Sequence, residues 1–126
     1  MSKILENLFY TESHEWIRME GETAVIGITD HAQNSLGDIV FLNLPEVGDT
    51  VTAGEPFCDV ESVKAVSDIY SPVTGAISEV NDTLADAPEQ LNDDPYTAWI
   101  CKVEGITGQE KFLSPSEYEA LLAKEA

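Results

Sequence analysis

A mostly β domain with helices at its periphery is the fold class that this sequence predicts. Short strand-like stretches recur along the chain, separated by turns of Gly, Pro, Asn and Asp. Several of them alternate in side-chain character, as a half-buried strand does. Near the C-terminus, Ser114-Pro115-Ser116-Glu117 is a capping box with Pro at the first helical position. A length of 126 residues suits one domain over 1–126, large enough to bury a core without disulfide or metal staples.

Taken in order, His14 to Met19 reads as a strand with Glu15, Ile17 and Met19 on one side and His14, Trp16 and Arg18 on the other. Glu20-Gly21-Glu22 turns the chain into a second strand, Thr23 to Ile28. Asp30 is placed to cap a short helix that ends at Gly37, a residue free to adopt the left-handed conformation that stops helices. Asp38 to Leu44 reads as a further strand, largely buried at Ile39-Val40-Phe41-Leu42. Gly48 and Gly54 bracket a short extended piece. Two strands then flank a turn at Lys64, and another runs from about Ala76 to Val80 after Pro72 to Gly75. Residues 81 to 95 read as loop with a helical turn or two. Trp99, Cys101 and Val103 alternate on a last strand. Leu113 and Tyr118 sit where a hydrophobic staple forms, and Tyr118, Leu121 and Leu122 make the inward face of a helix reaching about Lys124.

Twenty-four acidic residues against six basic ones leave a formal charge of −18. Nucleic-acid binding has a basic footprint, so that class is excluded. Anionic membrane surfaces would repel the chain, and no apolar run approaches spanning length. The charge is spread along the sequence and suits solubility or encounter with basic patches on partners. The N-terminus, Met1 to Asn7, has neither a signal-peptide apolar region nor an Arg-rich transit segment, so a bacterial cytoplasmic location is expected. Cys58 and Cys101 lie in apolar runs without metal-ligand spacing and read as buried small hydrophobes. His14 and His31 each sit beside an acid, a common surface arrangement. No phosphate loop, serine-nucleophile motif or paired metal-ligand histidines emerge, so no catalytic constellation is expected.

The most informative stretch is Glu61-Ser62-Val63-Lys64-Ala65-Val66-Ser67-Asp68. It sets one lysine at the turn of a β-hairpin, clear of the fold, where its amine is open to acylation. A lone turn lysine is ordinarily just solvated; the surrounding residues distinguish this one. Small neighbours Ser62, Val63 and Ala65 keep the tip clear, and Glu61 and Asp68 make the local field acidic. Lys3, Lys102, Lys111 and Lys124 lack this setting.

That stretch resembles the lipoylation site of the glycine cleavage system H-protein family. The likeness continues through Tyr10 to Trp16, Gly27 to Gln33, Leu36 to Phe41, Leu44 to Gly48, Ser71 to Gly75, and Leu91-Asn92 with Pro95-Tyr96. It covers nearly the whole chain in the family's order. Where the family usually has Gly-Trp, this chain has Ala98-Trp99, and alanine does not cheaply take a positive φ. The resemblance implies a barrel-sandwich hybrid like biotinyl and lipoyl carriers, with short peripheral helices and a C-terminal helix. It implies lipoic acid held as an amide on Lys64, with Glu61, Ser62, Val63, Ala65 and Asp68 shaping the hairpin for a lipoate ligase or lipoyl transferase.

It further implies three working partners: a pyridoxal-phosphate glycine decarboxylase that loads an aminomethyl group, an aminomethyltransferase that unloads it to tetrahydrofolate, and dihydrolipoamide dehydrogenase, which reoxidises the dithiol. The chain is expected to act as a monomer. An N,S-aminal decomposes if water reaches it, so a sheltering cleft with a counter-charge for its ammonium is required. Glu15, by its match to Ser13-His14-Glu15-Trp16 in the family motif, is the candidate; the alternative is a surface Glu alternating with Trp16. Rival carriers fit less well. A biotinyl domain favours methionines beside the lysine, and the lipoyl domain of a 2-oxoacid dehydrogenase shows Asp-Lys-Ala. A lipoyl relay to other enzymes and an unmodified acidic scaffold remain as alternatives.

Overall fold

A computed structural model of the chain describes residues 3–125. Met1, Ser2 and Ala126, which belong to the N-terminal reading and to the 1–126 domain span, lie outside the described residues. Strands β1 (Phe9–Tyr10), β2 (Glu15–Glu20) and β3 (Thr23–Ile28) lead into helix α1 (Asp30–Leu36) and strand β4 (Ile39–Asn43). Strands β5 (Thr50–Val51), β6 (Pro56–Ser62), β7 (Val66–Tyr70) and β8 (Val73–Val80) follow. Two one-turn helices, α2 (Thr83–Asp86) and α3 (Gln90–Asp93), precede β9 (Cys101–Gln109) and the C-terminal α4 (Pro115–Glu125). The strands form two antiparallel sheets, one ordered β1-β2-β3-β9-β8-β5 and one ordered β4-β6-β7. The expected mainly β architecture with peripheral helices is what the chain adopts, with sheets that stay open and do not close into a barrel.

β3 and the first half of β2 are buried on both faces because both faces are covered there. Ile17, Ile26 and Ile28 join Ile39, Val60, Ile69, Ile77 and Val103 in a core shared by the two sheets and sealed by Leu84 and Leu91. Trp16 and Val25 point the other way, into a second cluster with Leu8, Tyr10, Tyr96, Leu113 and Tyr118 beneath α4. That cluster is assembled by specific contacts. The Tyr10 and Tyr118 rings stack 4.5 Å apart, Trp16 Nε1 donates to the Pro95 carbonyl at 3.0 Å, and Tyr10 and Leu113 exchange backbone hydrogen bonds. The capping box closes as expected: Glu117 N donates to Ser114 Oγ, and Ser114 N donates to Glu117 Oε1. Leu113 and Tyr118 are both buried as the staple requires.

Several expectations are corrected. The cap of α1 is Thr29, whose hydroxyl accepts from Ala32 N; Asp30 is instead the first helical residue. Val40 and Phe41 are 56% and 45% exposed, not buried. β4 is an edge strand with an irregular register between Ile39 and Phe41, so only Ile39 and Leu42 reach the core. Met19 is exposed where β2 runs out past the core, and His14 precedes the strand with φ 71°. β8 begins at Val73, earlier than expected. Trp99 lies outside the last strand, which continues to Gln109, paired along β8. Ala98 packs into the core without a positive φ, so the departure from Gly costs no backbone strain there.

Gly27 faces Trp16 across the β2–β3 ladder, and a Cβ built on it would stand 2.5 Å from Trp16 Cε2. A methyl group must displace the buried indole and its bond to Pro95. Gly27→Ala is therefore expected to destabilise the fold by about 1–3 kcal/mol in urea unfolding, the usual cost of overpacking. An unchanged midpoint would contradict this packing.

Candidate functional site

The β6–β7 hairpin carries Lys64 at an exposed tip of three residues, Val63 to Ala65. Ser62 builds the turn. Its backbone N–H donates to the Ala65 carbonyl at 2.9 Å, and its Oγ accepts from Lys64 N and Ala65 N, both at 3.2 Å. A small hydroxyl thus satisfies two amides that no strand partner reaches. Val63 N donates to the Asp38 carbonyl at 3.0 Å, which ties the tip to the end of α1. Gly37, at φ 77°, faces the lysine stem: a Cβ there would lie 3.3 Å from Lys64 Cε. Asn92 holds this corner, donating from Nδ2 to the Gly37 carbonyl at 2.8 Å and accepting from Ile39 N at 2.8 Å. Ion pairs among the described residues involve Arg18, Lys102 and the two histidines, and leave Lys64 out.

Of the other hairpin residues, Glu61 lies half-buried on β6 opposite Val66. Asp68 is exposed on β7 and borders a cleft of about 290 Å³. Ser13, His14, Glu15, His31 and Leu36 line the rest of that cleft. β7 connects the tip to the cleft floor. From Val66 to Tyr70 is roughly 13 Å at about 3.3 Å per residue, and Tyr70 N donates to Glu15 Oε2 at 3.4 Å.

Glu15 is no surface residue alternating with Trp16, for it is 2% exposed. The turn from Thr11 to His14 makes that burial tolerable. Thr11 Oγ1 and Ser13 Oγ both donate to Glu15 Oε1 at 2.6 Å, and Thr11 Oγ1 accepts from Glu15 N at 3.1 Å. Oε1 is thereby saturated, while Oε2 has the single long contact from Tyr70. Burial pushes the Glu15 carboxyl above the usual glutamate range, opposed by the Ser13 and Thr11 hydroxyls and the Tyr70 amide. The arrangement is an anion with spare acceptor capacity at the floor of a cleft, suited to a protonated amine. Sequence reasoning missed Thr11, Ser13, Gly37 and Asn92 as parts of the site; they had been visible only as members of longer motifs.

The two histidines come together. Their rings lie 4.5 Å apart at the cleft rim, and Glu125 Oε1 from α4 sits 3.1 Å from His14 Nε2 and 3.8 Å from His31 Nε2. Burial lowers the His14 pKa first, Glu125 opposes that, and His31 adds to it. Cys101 is buried in the core, its thiol pushed up to about 12, and Cys58 is partly buried against it, with burial raising its thiol as well.

With this geometry in hand, a family model described as Glycine cleavage H-protein matches residues 8–125. The chain belongs to that family. It is 60% identical over 124 residues to the glycine cleavage system H protein of Lachnoclostridium phytofermentans, covering 98% of each chain. It is 53% identical to that of Rubrobacter xylanophilus, covering 99% of each. The crystal structure of a glycine cleavage system H protein from Mycobacterium marinum superposes with a TM-score of 0.90 at 40% identity, over 95% of this chain and 99% of that one. No helix among the described residues is long and apolar enough to cross a membrane.

The carboxylate cage has a measurable consequence. Since the folded pKa of Glu15 is raised, its contribution to stability is fully present below the unfolded glutamate value and is lost as pH rises through the folded one. Carboxyl ¹³C titration should give a Glu15 midpoint above 4.5, and Thr11→Val, which deletes one hydroxyl donor, should raise it further. A midpoint left unmoved by Thr11→Val would contradict the cage, and one at or below the ordinary value would contradict the dominance of burial.

Proposed function

We propose that this chain is the lipoyl carrier of a glycine cleavage system. In that role it takes an aminomethyl group from a pyridoxal-phosphate glycine decarboxylase to an aminomethyltransferase and passes electrons to dihydrolipoamide dehydrogenase. Family membership supports the carrier role, and the hairpin lysine is the observation that carries the residue-level reading. Lys64 is exposed, its turn is pinned by Ser62 and Asp38, and its stem has a side-chain-free wall at Gly37. These residues fit a lipoyl amide. Lipoate there would supply a strained disulfide that is reduced as the cargo joins sulfur.

The chain's own residues do the rest. The tip presents Lys64 to a lipoate ligase or lipoyl transferase, with Glu61, Val63, Ala65 and Asp68 as its immediate surroundings. The lysine stem plus a lipoyl chain is comparable in length to β7, so a loaded arm laid along that strand would reach Glu15. Oε2 of Glu15, which has a single long contact from Tyr70 N, could accept from the cargo's ammonium, and burial of the carboxylate would strengthen that bond. The cleft walls exclude water from a group that water destroys. Bond-making groups belong to the partner enzymes, and the acidic surface suits basic docking patches on them. A cytoplasmic, monomeric chain accords with this role.

Incubation with lipoate, ATP and a lipoate ligase should add one lipoyl increment to the intact mass, and none to Lys64→Ala. With the fold intact and a known acceptor modified alongside, absence of the increment would leave the acidic scaffold as the better reading. Glu15→Ala should accept lipoate normally yet shorten the lifetime of the loaded cargo by about tenfold, the cost of leaving a buried charge unpaired. An unchanged lifetime would sink the assignment of Glu15.

A further inference from the structure

The histidine pair at the cleft rim has a geometry that an ion pair alone does not require. His14 Nε2 and His31 Nε2 converge on one oxygen, Glu125 Oε1, at 3.1 and 3.8 Å, and one donor atom from each of the three residues lies within 4.8 Å of the others. A tetrahedral ion with ligands at about 2.0–2.1 Å holds neighbouring donors roughly 3.3 Å apart. Two of the three separations bracket that spacing, and the third closes with side-chain movements of about 1–1.5 Å. We propose that His14, His31 and Glu125 form a binding site for one divalent transition-metal ion of the zinc class. This assignment is independent of what Lys64 carries.

Four further features favour it. His14 Nδ1 lies 2.9 Å from Tyr118 Oη, which lies 2.7 Å from Thr29 Oγ1, and that oxygen accepts from Ala32 N. With an ion on Nε2, His14 Nδ1–H would have Tyr118 Oη as its acceptor, and that hydroxyl would in turn have Thr29 Oγ1, the usual outer support of a ligating histidine. The φ of 71° at His14 holds its ring over the rim in the left-handed region, a conformation set by the Thr11 to Glu15 turn. The donor set is two imidazoles and one carboxylate, which selects zinc-like ions over magnesium and calcium. The formal charge of −18 adds long-range attraction for any cation.

Three protein ligands leave a fourth position for water or another donor. A bound ion would join the last turn of α4 to α1 and to the turn before β2, and so hold the rim beside Glu15.

Zinc chloride titrated into the full chain by calorimetry, in excess magnesium, tests the site. The expected result is one saturable equivalent. Affinity should fall at least tenfold in His31→Ala and in Glu125→Gln, and stay unchanged in Glu119→Gln, a control for general acidity on the same helix. Long-range ¹H–¹⁵N spectra of the zinc-bound chain should show both Nε2 resonances shifted and His14 Nδ1 protonated. Neither His31 nor Glu125 supports the core, so both variants retain the fold for comparison. Absence of a saturable equivalent above magnesium, or equal affinity in all three variants, would overturn the proposal and leave an ordinary ion pair.

Discussion

Burial of the Glu15 carboxylate is the constraint on which the rest of the site depends. An isolated buried carboxylate is costly, and this one is tolerated because two hydroxyls and the Tyr70 amide donate to it, while Glu15 N donates back to Thr11 Oγ1. The arrangement dictates the path from Thr11 to Glu15, and that path sends His14 into the left-handed region. His14 then meets Tyr118, which seals the second hydrophobic cluster under α4. One carboxylate therefore couples the cleft floor, the cleft rim and the docking of the last helix.

The two sheets divide the labour around that group. The larger one, covered on both faces at β2 and β3, supplies a rigid wall in which Glu15 sits beside Trp16 and Ile17. The smaller one supplies the hairpin, with an edge strand and exposed apolar side chains at Val40, Phe41, Val63 and Val66. Asn92 bridges elements far apart in sequence, and through Gly37 and Asp38 its bonds reach the hairpin turn. Rigidity behind Lys64 and freedom in front of it suit a lysine that presents something larger than itself.

What the sequence made legible was local. Capping chemistry at Ser114 and Glu117, the glycine stop at Gly37, the hairpin at Lys64 and the buried Cys101 all follow from short-range rules, and the structure has each of them, whereas Cys58 is only partly buried. Errors arose where tertiary context decides. Four apolar residues from Ile39 to Leu42 do not say whether one face or two are covered, and at an edge strand only one is. The alternation from His14 to Met19 concealed that His14 belongs to a turn and that Met19 outruns the core. Thr11 and Ser13 look like generic turn residues until a carboxylate is folded between them. His14, His31 and Glu125 are separated by 17 and 94 positions, and only the packing of α4 against α1 and the first turn brings them together.

The proposed function requires an arm on Lys64 to lie along β7 and end at Glu15. Amide chemical shifts of the lipoylated chain, recorded before and after loading by glycine and its decarboxylase, test it most directly. The account predicts perturbations at Ser13, Glu15, Asp68 and Tyr70, far from the hairpin tip. Changes confined to residues 62–66 would mean that the loaded arm stays in solvent, and would contradict it.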